Sequence, residues 1–92
     1  MTIFAVIAVT EDSKVVVSLE THFSGNYMKI GATDYLVAAP PKSVATAKDL
    51  SDKLGITDGV NGAGMVLNIA GYYGRLNPNI WEWMASKTQQ VA

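Results

Sequence analysis

Residues 2–10 read TIFAVIAVT, a continuous apolar run rich in β-branched side chains. Such a run makes a strand buried on both faces, in the middle of a sheet. Ile3, Ala5, Ile7 and Val9 point to one side; Phe4, Val6 and Ala8 point to the other. A fold for this chain must therefore cover both faces of its first strand.

The segments that follow supply the cover. Residues 13–24, SKVVVSLETHFS, fit two periods. With period two, Val15, Val17, Leu19, Thr21 and Phe23 share a face. With helical period, Val15, Val16, Leu19 and Phe23 form a stripe. The ends favour a helix: Asp12 or Ser13 can cap its start, Glu11 and Asp12 suit the positive end of its dipole, and Gly25 can close it. Tyr27–Ile30 and Asp34–Ala39 read as short strands joined by the hairpin link Gly31-Ala32-Thr33, and Pro40-Pro41 ends the second. Residues 46–54, TAKDLSDKL, carry a helix with Thr46 as N-cap and Asp49 at the third position of a capping box. Ala47, Leu50 and Leu54 form its buried stripe. Gly55 fits the C′ position, with Ile56 folding back onto Leu50. The glycine-rich stretch from Asp58 to Gly64 reads as a flexible turn, and Met65–Gly71 as another strand. Asn77 then caps a last helix with Pro78 at its first position.

The order βαββαβ plus one helix predicts a single α+β domain over residues 1–92, with a tail from Ser86 to Ala92 expected to fray. It is the ferredoxin-like split arrangement: a four-stranded antiparallel sheet with the first and last strands paired in the middle, two helices on one face and an extra C-terminal helix. Two helices leave the second face of the first strand bare. The C-terminal helix carrying Trp81 and Trp83, or a second copy of the sheet, must cover it.

Composition limits the functions. Apolar residues make up 49% of the chain and charged ones 16%, a lean surface for a small monomer. Part of that surface is expected to lie against another copy, a homodimer, or against a protein partner. The net charge is −1 and the lysines at 14, 29, 42, 48, 53 and 87 form no run, so no nucleic-acid footprint is expected. There is no cysteine, hence no thiolate nucleophile, disulfide or cysteine metal site. The apolar N-terminus has no basic start and is too short to span a membrane, which points to the cytoplasm.

The order and spacing of VIAVTED, TDYLVAA, TAKDLSDKLGI and GYYGR-x5-WEW resemble a group of short, mostly uncharacterised bacterial proteins. In topology the chain is more loosely similar to the small CRISPR-associated nuclease subunit. That likeness implies a metal-binding aspartate at the end of the first strand. Here the strand ends Ala8-Val9-Thr10, and the acids Glu11 and Asp12 come later.

No residue set stands out as catalytic, and no cofactor or metal is indicated. Glu11 and Asp12 are accounted for by helix-terminal charge, although Glu20 or Asp34 are possible second carboxylates. His22 has no orienting partner in sequence. The glycines at 59, 62 and 64 follow a helix and precede a strand, the reverse of a phosphate loop. The segment GYYGRLNPNIWEWM, residues 71–84, is the strongest candidate for binding, holding both tryptophans and the only arginine. Tyr72 and Tyr73 are adjacent, so at most one joins the core. Trp83 groups with Ile80 and Met84 on the core side of the helix, whereas Trp81 lies on another side. Tyr72, Tyr73, Arg75 and Trp81 are therefore the expected interface residues.

The leading expectation is a small non-catalytic module that works by association, first with itself. One alternative is a small-molecule protein or enzyme of the dimeric α+β barrel kind, with His22, Asp34 or Tyr35 in a pocket between facing sheets. Another is a metal-dependent nuclease or nucleic-acid binder using Glu11 and Asp12.

Overall fold

The fold is taken from a computed structural model, which describes residues 1–88. The elements are β1 (Thr2–Ala8), α1 (Ser13–Phe23), β2 (Tyr27–Lys29), β3 (Asp34–Ala39), α2 (Ala47–Leu54), β4 (Gly64–Asn68) and α3 (Pro78–Thr88). The sheet runs β2-β3-β1-β4 with every neighbouring pair antiparallel. This is the expected ferredoxin-like α+β arrangement with an added C-terminal helix, and β1 is central as its two apolar faces require; the other central strand is β3, however, and β4, expected in the middle, pairs β1 from the edge of the sheet.

The first face of the sheet carries Phe4, Val6, Tyr35, Val37 and Ala39. Val15, Leu19 and Phe23 of α1 and Leu50 and Leu54 of α2 pack on it, with Val44 and Ile56 filling the ends. Residues 13–24 thus resolve as helix, because the stripe at helical spacing meets this face. Thr46 and Asp49 form the reciprocal capping box. Gly55 closes α2 in the left-handed conformation at φ 74°, and Ile56 N–H donates to Ser51 O at 3.0 Å, the 6→1 bond of a Schellman close.

The second face is covered in part by the chain's own last helix. Ile80 and Met84 of α3 pack on Ile3, Leu36 and Ala38, ringed by Met28, Ile30, Ile69, Trp81 and Trp83. Asn77 starts α3 by accepting the Asn79 N–H at 3.2 Å. Lys87 Nζ donates to Asn26 Oδ1 at 2.9 Å, tying the end of α3 to the turn before β2. A helix with its side chains is about 10 Å across and strands lie about 4.8 Å apart, so one helix covers about two strands. Two helices suffice for the first face. One cannot cover the second, and the β1–β4 side shows it: Ile7, Met65 and Leu67 are 38%, 57% and 40% exposed.

Several details depart from the sequence reading. β1 stops at Ala8, and Val9 is exposed beyond it. β4 spans Gly64–Asn68 rather than Met65–Gly71, because Ile69 already bonds to Ile3 near the start of β1 and residues further on have no strand to pair with. Asp12 makes no side-chain cap on α1; the Glu11 carboxylate accepts the Ser13 N–H instead, at 3.1 Å. Gly25 serves a turn in which Asn26 N–H donates to Phe23 O, rather than a helix close. Residues 86–88 are helical, not a frayed tail, and residues 89–92 lie outside the described residues. The glycine-rich turn is bonded along its length: Asn61 donates to Leu54 O at 2.7 Å and Ala63 N–H to Thr10 Oγ1 at 3.0 Å.

Gly64 sits where β4 meets β1, and a Cβ there would lie 2.7 Å from the Ile7 carbonyl oxygen. Because the obstacle is backbone, Gly64→Ala must push the two strands apart. The expected loss is about 1–3 kcal/mol in urea unfolding. Gly59→Ala meets no neighbouring atom within 4 Å. It pays only for its left-handed φ and loses about 1–2 kcal/mol, without disturbing the β1–β4 amide resonances.

Candidate functional site

Ten residues, 69–78, carry the chain from β4 to the first turn of α3, and all but Ile69 are exposed. Here the polypeptide must leave the edge of the sheet and cross to its second face. Trp81 is one turn into α3 and half-buried against the second core. The Tyr72 ring lies flat on it, with centroids 5.6 Å apart and planes 8° from parallel. Tyr73, next to Tyr72 in the chain, is fully exposed. Tyr72, Tyr73, Gly74, Trp81 and Ala85 line an open groove of about 420 Å³. Arg75 is exposed and makes no hydrogen bond or ion pair among the described residues.

The structure thus brings Tyr72, Tyr73 and Trp81 together, with Arg75 two residues along the same connection. Neither tyrosine enters the core. Trp81 has a double role: one part of it seals Ile80 and Met84, and the other is the platform for Tyr72. The offset from full burial is what makes this a surface rather than a lid.

The polar candidates are dispersed. Asp12 lies before α1, where its carboxylate accepts the Tyr35 hydroxyl at 2.6 Å. Glu11 is engaged with the α1 backbone. Glu20, further along α1, accepts the Ser24 and Tyr27 hydroxyls at 3.0 and 2.8 Å. His22 is exposed on α1, in edge contact with Phe23 and with no hydrogen bond among the described residues. Asp34 starts β3 opposite Ile7, on the second face, while Tyr35 is buried on the first. His22, Asp34 and Tyr35 therefore do not converge on one cavity. Among the described residues, no three His, Asp or Glu side chains come together as metal ligands. Apart from Tyr35, none of the described charged or polar residues is buried.

Two tyrosines have raised pKa values. Burial, reinforced by the bond to the Asp12 carboxylate, pushes the Tyr35 hydroxyl up to about 12. The bond to Glu20 raises Tyr27. Both bonds hold the phenol neutral and donating, and they pin the α1 segment to the β2–β3 hairpin. This is structural use of acid–phenol pairs.

A feature the sequence reading did not single out is the uncovered strip Ile7, Met65 and Leu67. In register, Ile7 faces Met65 and Ala5 faces Leu67, so the strip is continuous across β1 and β4. Its signal was the alternation Met65-Val66-Leu67, taken with the width of a single helix.

Comparison with protein-family models, with curated proteins and with solved structures gives no match. No helix among the described residues is long and apolar enough to cross a membrane.

The Tyr35 pair gives a signed expectation. The folded state holds this phenol protonated to about 12, whereas an unfolded tyrosine ionises near 10. The contribution to stability is complete below pH 10 and is lost as pH rises from about 10 to about 12. Tyr35→Phe should flatten that decline and cost about 1.5 kcal/mol at neutral pH. Urea midpoints across the alkaline range, with tyrosinate absorbance, measure both. An unchanged alkaline decline in the variant would assign it to another group.

Proposed function

We propose that this protein is a small, non-catalytic association module whose first partner is a second copy of itself. The observation that carries the reading is the apolar surface left after the chain has folded. Ile7, Met65 and Leu67 stand uncovered on the sheet, and Tyr72, Tyr73 and Leu76 stand exposed on the connection that follows. Contiguous apolar surface of this kind is a feature of docking sites. Tyr and Trp beside an arginine are the side chains that most often carry interface energy. Tyr72, Tyr73, Arg75 and Trp81 are the contact residues on this reading.

The polar groups support the same direction. The carboxylates of Glu11, Asp12 and Glu20 are occupied by a helix amide and tyrosine hydroxyls, which leaves none of the three poised as an acid–base partner. The scattered lysines do not gather as a phosphate-binding surface would, so nucleic acid is not the proposed partner. The absence of cysteine suits a reducing compartment, and we place the module in the cytoplasm.

Light scattering over a concentration series tests the proposal. The expected result is a mass that rises from one chain to two. Tyr73→Ala should weaken the association about tenfold or more. Its effect on stability should stay within about 0.5 kcal/mol, because Tyr73 is fully exposed in the single chain. A mass of one chain at every concentration overturns the proposal.

A further inference from the structure

We infer that the second copy docks edge to edge at β4, in an antiparallel seam with a two-fold axis at Val66. The inference rests on the self-association proposed above and assigns its geometry.

The β1–β4 hydrogen bonds set which groups remain free. Ile69 N–H donates to Ile3 O and Val9 N–H to Ala63 O, each at 3.0 Å. Bonded pairs alternate along an antiparallel ladder, so Leu67 and Met65 also spend their amides on β1. The N–H and C=O groups of Gly64, Val66 and Asn68 therefore point away from the sheet. β4 is its last strand, and these groups have no partner among the described residues. Unpaired edges are where chains pair with one another, and proteins usually block them with lysine, proline or a bulge. Here residues 59–74 contain no charged residue and no proline.

A second copy satisfies this edge by symmetry. With Val66 opposite Val66 of the other chain, Gly64 meets Asn68, and each outward N–H finds a carbonyl. Met65 then stands opposite Leu67 in a non-hydrogen-bonded pair, the closer of the two kinds. Both side chains lie on the uncovered second face, so the two strips merge into one apolar surface across the seam. The neutral stretch places no like charges against each other. Tyr72 and Tyr73 begin four residues beyond the end of the seam and bring on the order of 250 Å² of ring surface per copy. With the two strips and the paired backbones, this is the scale of the ~1,000 Å² that a specific interface requires.

The pairing of position 65 with position 67 makes the test specific. Met65→Lys with Leu67→Lys places lysine opposite lysine twice. Met65→Lys with Leu67→Glu places lysine opposite glutamate twice. Both pairs of substitutions are at exposed positions, and circular dichroism checks that each variant is folded. The expected result is a dimeric wild type, a Lys/Lys variant at least tenfold weaker, and a Lys/Glu variant that recovers most of the loss at low salt. Equal weakening of both variants, or none in either, overturns the seam; a wild-type dimer still weakened by Tyr73→Ala then leaves self-association standing through the 71–81 surface. A wild type of one-chain mass at every concentration overturns both.

Discussion

The structure depends on one constraint: β1 is apolar on both faces and must be covered on both. The βαββαβ order meets half of the demand, because both crossover helices fall on the same side of the sheet. Phe4 and Val6 are buried there at 0% exposure beneath α1 and α2. The other half is met in part by α3, which places Ile80 and Met84 over Ile3, Leu36 and Ala38. The long exposed connection from β4 is the means of reaching that side. Its proline at the first helical position and its asparagine cap start the helix after the crossing.

The same constraint explains what remains open. A helix is about as wide as two strands, and the sheet has four. By lying over β1 and β3, with Lys87 bonded beside β2, α3 leaves the β1–β4 side uncovered. The apolar strip is thus a consequence of covering two faces with three helices. The free edge of β4 borders it, so two separate unmet demands, for apolar contact and for main-chain hydrogen bonds, occur in the same place. That coincidence is the basis for reading the protein as an association module. Three carboxylates around α1 are, by contrast, engaged: Asp12 and Glu20 receive tyrosine hydroxyls, and Glu11 receives a helix amide.

Much of this was legible in the sequence wherever a local signal agreed with the fold. Thr46 with Asp49, Gly55 with Ile56, and Asn77 with Pro78 each form the terminus that their spacing implies. The central place of β1 followed from its composition. Residues 13–24 were divided between two periods, and only the tertiary partner of Val15, Leu19 and Phe23 decided for helix. Non-local features were illegible. The end of β4 depends on where β1 begins, and Asp12 is drawn from the helix cap by Tyr35, 23 positions away. At the candidate site, that Tyr72 and Tyr73 could not both join the core was readable from their adjacency. The Tyr72–Trp81 stack was not, because it depends on how the connection crosses the sheet.

The most direct test of the account is whether α3 covers the sheet of its own chain. A mixture of isotope-labelled and unlabelled protein, with Met84 methyl contacts filtered by chain, separates the two possibilities. The account predicts that contacts from Met84 to Leu36 and Ile3 arise within one chain, at concentrations where the protein is dimeric as well as where it is not. Met84 contacts found between labelled and unlabelled chains would mean that α3 crosses to a neighbour, and would contradict both the cover that α3 gives its own sheet and the uncovered strip derived from it.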